Sequence, residues 1–146
     1  MIRSAAPSAL AFALTALVLP VQAIESWMDE AAIRQAFAGK TIQGLYANGR
    51  AFTETYKADG SIEYSERDAA YHGHWSLQAG TFCTIYDTDP TGGCYSVTQV
   101  GDNCYEFYFV ARTEEEAAIQ GPGPPHWTAR AAVSDRDATC SDKPAV

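Results

Sequence analysis

The stretch AFTETYKADGSIEYSER, residues 51–67, contains two runs of alternating side chains separated by an Asp-Gly pair. Alternate side chains of a β-strand lie on the same face of the sheet. On each run the large apolar groups share a face with one glutamate: Phe52, Glu54 and Tyr56, then Ile62, Tyr64 and Glu66. Because an Asp-Gly pair between two such runs is a strong hairpin signal, the stretch predicts a β-hairpin with its aromatic side turned inward.

Runs of the same kind continue on both sides of this hairpin, and Gly, Asn or Asp turn residues separate most of them. The six further strand candidates are TIQGLYA (41–47), YHGHWSLQ (71–78), TFCTIYD (81–87), CYSVTQV (94–100), CYEFYFVAR (104–112) and WTARAAV (127–133). Short strands at this spacing predict a mainly β protein, an antiparallel meander of about eight strands that closes into a barrel or folds into a sandwich.

One helix is predicted before the strands, in SWMDEAAIRQAFAGK (26–40). Ser26 suits the N-cap, Asp29 and Glu30 suit the positive end of the helix, and Gly39 suits its termination. Apolar residues at helical spacing form a stripe that we expect to pack against the strands: Ile33, Ala36 and Phe37.

Residues 1–23, MIRSAAPSALAFALTALVLPVQA, have the three parts of a secretory signal peptide: basic Arg3, an apolar run, and small residues before position 24. The apolar run is shorter than the roughly 20 residues that a membrane-spanning helix needs. Cleavage after Ala23 leaves 146 − 23 = 123 residues. We therefore predict a single β-barrel domain over residues 24–146, periplasmic or secreted, with no membrane insertion after cleavage.

The exported part carries all four cysteines: Cys83, Cys94, Cys104 and Cys140. An even number in an oxidising compartment predicts two disulfides. Three pairings can be drawn, and we favour Cys83 with Cys94 across a hairpin and Cys104 with Cys140, which would tie down the C-terminal segment. No pair has the Cys-x-x-Cys spacing of a zinc knuckle, so a zinc site is not expected.

The net charge of the chain argues against some classes of binding partner. The chain has 10 Lys and Arg against 18 Asp and Glu, and without Arg3 its formal charge is 9 − 18 = −9. This balance argues against nucleic acid and anionic membranes as partners, because both require a concentrated basic surface. The acidic segment from Thr113 to His126 is predicted to be a surface excursion, and one alternative function is an inhibitor or interaction module that meets a basic protein there.

The histidines suggest a second alternative, a metal-dependent enzyme that uses His72, His74 and His126 as ligands. Alternation along YHGHWSLQ places Tyr71 and Trp75 on the apolar face, so the first two histidines are expected to face solvent. No Gly-x-Ser-x-Gly nucleophile elbow is present, and the predicted disulfides leave no free thiol. We expect no catalytic residue and no cofactor.

The leading hypothesis is a non-enzymatic periplasmic protein that binds a small polar or cationic ligand in a barrel cavity. Its predicted ligand-binding residues are Tyr46, Phe52, Glu54, Tyr56, Tyr64 and Trp75. A carboxylate on the inward, aromatic face of a strand costs free energy on burial unless it is paired or contacts a ligand. The structural alternative is that Glu54 and Glu66 lie near the barrel mouth and pair with Arg50, Arg67 or Arg112.

The succession GKTIQGLY, FTETYKADGSI and YHGHWSL, followed by Cys83, Cys94 and a Gly-Asp turn before Tyr105, resembles a family of small exported proteins of alphaproteobacteria. The resemblance covers residues 39–110. It implies a lipocalin-like barrel in the periplasm and carries over no catalytic residue. Gly73-His74-Trp75 also resembles the Gly-x-Trp of lipocalins, which lies on their first strand, whereas three predicted strands precede it here.

Overall fold

The computed structural model of the protein describes residues 26–88, 92–119 and 126–140, so the predicted signal peptide lies outside the described residues. The strands are β1 Lys40–Tyr46, β2 Ala51–Tyr56, β3 Ser61–Glu66, β4 Ala69–Gln78, β5 Thr81–Tyr86, β6 Gly93–Gly101, β7 Cys104–Ala111 and β8 Ala129–Val133. Two helices accompany them, α1 Glu30–Phe37 and α2 Glu114–Ala117. None of the described helices has the length and apolar character needed to cross a bilayer.

The strands form a closed antiparallel barrel in which each strand pairs with the next in sequence and β8 pairs with β1. The meander barrel predicted from the hydrophobic alternation is therefore confirmed, and the sandwich is not the arrangement adopted. The alternation is seen directly in β2, where Phe52, Glu54 and Tyr56 are buried and the intervening side chains are not. Closure is made by pairs such as Ile42 with Val133.

Helix α1 begins later than the sequence predicted. Its N-cap is Asp29, whose carboxylate accepts a hydrogen bond from Ala32 N at 2.7 Å, so the assignment of Ser26 as the cap is wrong. The reason lies in a distant strand, because Met28 N donates to Val97 O of β6 at 2.8 Å and keeps the preceding chain extended. The end of the helix follows the prediction, with Gly39 at a φ of +74°.

Helix α1 seals one end of the barrel. Ile33 and Phe37 are 0 % exposed. The Phe37 ring packs against four aromatic rings of the barrel interior, with centroid separations between 4.9 and 5.8 Å: Tyr56, Phe82, Tyr105 and Phe107. We call the opposite end, where β1, β3, β5 and β7 finish, the mouth.

Both favoured disulfides are present, Cys83–Cys94 and Cys104–Cys140. The first joins register partners on β5 and β6, which explains why the hairpin brings these cysteines together. The second ties the segment after β8 to the start of β7. Asn103, which the sequence did not single out, holds the same segment through hydrogen bonds to the backbone of Val133, Arg136 and Asp137.

Strand β7 is more deeply buried than alternation suggests. Its inward residues Tyr105 and Phe107 are buried, but so are the outward residues Glu106 and Tyr108. The outer wall is covered by Trp27, whose ring lies edge-on to Tyr108 at 5.1 Å, and by Arg130, which pairs with Glu106. A second layer of side chains therefore stabilises this part of the barrel from outside.

Candidate functional site

The polar centre of the barrel interior is Glu54, which is 6 % exposed. Its two carboxylate oxygens accept hydrogen bonds from the hydroxyls of Tyr56 and Tyr86. Burial raises the pKa of Glu54 above its ordinary value, and the two tyrosine hydrogen bonds oppose that shift. The predicted pairing of Glu54 with an arginine is therefore wrong, because tyrosines on β2 and β5 satisfy the carboxylate instead.

The tyrosines around Glu54 act as hydrogen-bond donors. Burial, and next the charge of Glu54, raise the pKa of both Tyr56 and Tyr86 above the ordinary tyrosine value. Both hydroxyls consequently remain protonated and donate to the carboxylate. The arrangement stabilises a buried acid, but it leaves neither oxygen of Glu54 without a partner.

The interior beside Glu54 is almost filled. It contains a cavity of about 20 Å³, enclosed by side chains such as Ile42, Phe82 and Phe107. A volume of this size accommodates about one water molecule, and a drug-sized ligand needs roughly 300 Å³ or more. The interior is therefore a packed aromatic core with a small cavity beside Glu54.

Four of the six predicted ligand-binding residues meet at this small cavity: Tyr46, Phe52, Glu54 and Tyr56. Tyr64 lies outside the lining, and its hydroxyl accepts a hydrogen bond from Tyr46 at 3.1 Å. Trp75 is at the sealed end, where its Nε1 donates to Lys57 O at 2.8 Å and Arg34 lies 5.6 Å from its ring centroid. Trp75 is therefore not part of the wall of the small cavity, although its ring packs edge-on against Tyr56 at a centroid separation of 6.2 Å.

A much larger cavity, about 360 Å³, lies at the mouth. Its walls combine three aromatic rings, two guanidinium groups and small polar or apolar side chains: Tyr46, Tyr95, Phe109, Arg50, Arg112, Asn48, Thr128 and Ala47. Tyr46 and Tyr95 line both this mouth cavity and the inner one. These two rings therefore form the boundary between the mouth cavity and the cavity at Glu54.

Arg50 is held in a defined position at the mouth. Its Nε lies 3.1 Å from Oε1 of Glu66, and its guanidinium carbon lies 5.6 Å from the centroid of Tyr46. Glu66 in turn accepts a hydrogen bond from the Tyr64 hydroxyl at 2.5 Å. Of the three arginines named as possible partners of Glu66, Arg50 is therefore the one that pairs with it.

Arg112 follows β7 and is held by different contacts. Its guanidinium carbon lies 5.0 Å from the centroid of Phe109, and Nη1 donates to Gly92 O at 3.2 Å. Its backbone N–H donates to Glu116 of α2 at 3.2 Å. The sequence indicated Arg112 only as a possible partner for a glutamate. Arg112 lines the same cavity as Arg50 because the barrel closes between β8 and β1.

The histidines do not assemble into a metal centre. His72, His74 and His126 are all exposed, and within the described ranges no group of three His, Cys, Asp or Glu side chains is arranged to hold a metal ion. His74 Nε2 instead lies 3.4 Å from Oε1 of Glu114, which also accepts a hydrogen bond from Ser76. The acidic segment is thus partly engaged with the barrel wall through α2.

Two tyrosines of the site, Tyr86 and Tyr95, were absent from the predicted set. The signal for both was present, because Phe82, Thr84 and Tyr86 alternate along β5 and Tyr95 shares a face with Val97 on β6. A stricter use of alternation on every strand would have placed both rings in the interior.

No protein-family model matches the chain, and a comparison with curated proteins finds no match. The class of protein is therefore defined by its architecture. It is a disulfide-bonded, eight-stranded antiparallel barrel with one end sealed by a helix and a lined cavity at the other.

Proposed function

We propose that this protein is a non-enzymatic, exported binding protein that takes a small molecule in the mouth of its barrel. The observation that supports the proposal is the mouth cavity of about 360 Å³ opposite the sealed end. Small-molecule sites are typically concave, roughly 300 to 1,000 Å³ in volume, and lined by aromatic groups with a few placed polar groups. The mouth cavity has both properties.

The packed interior supports the site from below. Tyr46 and Tyr95 form the floor of the mouth cavity, and the hydrogen bonds between Glu54 and its tyrosine donors hold the core beneath them. A floor of this kind limits rearrangement when a ligand binds, which lowers the entropic cost of binding. The proposed ligand position is therefore above Tyr46 and not beside Glu54, where the sequence suggested it.

Export is part of the proposal. Two disulfides are typical of proteins that fold in an oxidising compartment. Residues 1–23 have the pattern of a secretory signal. Together these features support a periplasmic or secreted location.

Titration of the exported, oxidised protein with N-phenyl-1-naphthylamine, a neutral fluorescent probe, and with its anionic analogue 1-anilinonaphthalene-8-sulfonate tests the proposal. Ala47→Trp fills the mouth cavity, and because Ala47 uses only its backbone N–H to bond Thr128 O, the barrel is preserved. Ala70→Trp, the same change at an exposed position of β4, is the matched control.

We expect at least one probe to bind, Ala47→Trp to weaken its binding about tenfold or more, and Ala70→Trp to leave it unchanged. Equal affinity in the two tryptophan variants, or no binding of either probe to the wild-type protein, would overturn the proposal.

A further inference from the structure

We infer that the ligand of the mouth cavity carries an anionic group, such as a carboxylate, sulfonate or phosphate, that Arg50 and Arg112 bind. The inference rests on the proposed function and names the chemical class of its ligand. It departs from the cationic ligand that the sequence suggested.

The sign of charge at the mouth is opposite to that of the whole chain. The chain has 18 acidic and 10 basic residues, a formal charge of −8. Among the described residues that line the mouth cavity, both charged side chains are arginines and no carboxylate is present. A cation entering this space would meet two like charges, whereas an anion would be attracted by both.

The two arginines lie close to each other around the barrel. Arg50 is on the connection between β1 and β2, and Arg112 directly follows β7. Strand β8 separates β7 from β1, and Ala47 N donates to Thr128 O at 2.9 Å between the two connections. Both guanidinium groups can therefore act on one bound group.

Each guanidinium is oriented in advance by contacts of its own. The Arg50 contact with Glu66 uses Nε, and the guanidinium has four further N–H donors on its two Nη atoms. Arg50 stacks near Tyr46 and Arg112 near Phe109, and both rings belong to the cavity wall. Planar guanidinium groups held this way match the two oxygens of a carboxylate or the oxygens of a phosphate.

Three described carboxylates near the mouth, those of Glu54, Glu66 and Glu116, lie outside the cavity wall, and Glu116 accepts a hydrogen bond from the Arg112 backbone N–H at 3.2 Å. Glu54 lies below the floor and accepts hydrogen bonds from two tyrosines. Glu66 has a side chain only 14 % exposed and is not part of the cavity wall. Glu66 acts as a positioning residue for Arg50, and the rings of Tyr95 and Phe109 offer an apolar surface to the rest of the ligand.

The two fluorescent probes test this inference directly, because they share one aromatic body and differ by a sulfonate group. We expect the wild-type protein to bind the anionic probe about tenfold more tightly than the neutral one. Added salt should weaken binding of the anionic probe and leave the neutral probe unaffected. The salt comparison uses the wild-type protein alone, so it does not depend on whether a variant folds.

Arg50→Gln and Arg112→Gln, combined in one protein, should bring the ratio of the two affinities close to one, with binding of the neutral probe retained. Arg50→Lys with Arg112→Lys should keep part of the preference, because the charge remains. The matched control is Arg34→Gln, which removes another arginine stacked on an aromatic ring, Trp75, at the sealed end. It should leave the ratio at its wild-type value.

The outcomes separate the inference from the function on which it rests. Suppose that both probes bind wild-type protein with equal affinity, that salt does not change this affinity, and that Ala47→Trp weakens it. The binding site at the mouth is then supported, and the inference that its ligand is anionic is wrong. If Ala47→Trp affects neither probe, both proposals fail. A preference for the anionic probe that persists in the double glutamine variant also overturns the assignment of Arg50 and Arg112.

Discussion

Tyr86 of β5 donates a hydrogen bond to Oε1 of Glu54 on β2. These strands are not neighbours in the barrel, so the bond crosses its interior. Tyr56 donates to the other oxygen, Oε2. A buried carboxylate is tolerated when its acceptor sites are occupied. Here Tyr56 of β2 and Tyr86 of β5 occupy them, and the Tyr86 bond joins β5 to β2 across the core.

The first prediction concerns the pH dependence that Glu54 imposes on stability. Burial raises the pKa of Glu54 above the ordinary value of 4.5, so the folded protein binds this proton more tightly than the unfolded chain. The resulting stability is fully present below pH 4.5 and is lost as pH rises through the raised pKa. Relative to Glu54→Gln, the wild-type protein should therefore lose stability above pH 4.5, by at most about 1.4 kcal/mol per pH unit.

Urea unfolding of both proteins between pH 4 and pH 8 measures this difference. Glu63→Gln is the matched control, because Lys57 lowers the pKa of the exposed Glu63. The contribution of Glu63 to stability therefore changes with pH in the opposite direction to that of Glu54. The stability that Glu63 contributes is present above its ordinary pKa and is lost as pH falls through the lowered one. Parallel profiles for the wild-type protein and Glu54→Gln above pH 4.5 would contradict the prediction.

The second prediction concerns the helix that seals the barrel. Phe37→Ala removes a fully buried ring that packs against four aromatic rings. The free energy of unfolding should fall by about 3 to 5 kcal/mol, the usual result of emptying such a site. Gln35→Ala on the exposed face of the same helix should change it by less than about 0.5 kcal/mol. Similar stabilities of the two variants would show that α1 does not seal the core.

The third prediction concerns Asn103, whose Nδ2 donates to three backbone carbonyls and whose Oδ1 accepts from Val133 N at 2.9 Å. Asn103→Asp replaces the donor by an oxygen that faces those carbonyls. We expect a loss of about 2 to 4 kcal/mol of unfolding free energy at neutral pH. The exposed neighbour offers the control, because Asp102→Asn should have little effect. Wild-type stability in Asn103→Asp would rule out a structural role for these bonds.

The fourth prediction compares the two disulfides. Cys104–Cys140 closes a separation of 36 residues and Cys83–Cys94 one of 11. If constraint of the unfolded chain dominates, their removal as paired alanine variants should cost about 4 and about 3 kcal/mol respectively. Denaturant unfolding of the two variants shows which disulfide contributes more to the free energy of unfolding. A larger loss of stability on removing Cys83–Cys94, which closes the shorter loop, would contradict the chain-entropy account.

Much of the fold was predictable because strand alternation is a local property. The hairpin of residues 51–67 became β2 and β3 as expected, and the other six runs became strands with ends shifted by at most two residues. The start of α1 was not predictable in this way. It depends on a hydrogen bond from Met28 to Val97, residues that approach each other only when the barrel has formed.

The candidate site was predictable only in part, for the same reason. Alternation identified Phe52, Glu54 and Tyr56 as inward residues, and they meet at one cavity with Tyr46, which was also among the predicted binding residues. Trp75 has the same pattern but lies at the sealed end, because alternation gives the face of a strand and not the height along the barrel.

The sequence alone indicated a mainly β meander, two disulfides among four cysteines with the pairing only favoured, and the inward position of Glu54. Each follows from the period of the side chains or from the number and spacing of the cysteines. Only the tertiary structure decided that tyrosines and not an arginine satisfy Glu54, that the interior is nearly filled, and that Arg50 and Arg112 line one cavity. These features depend on which strands face each other across the closed barrel. Closure brings together residues that are far apart in sequence, and no local pattern in the sequence predicts their contact.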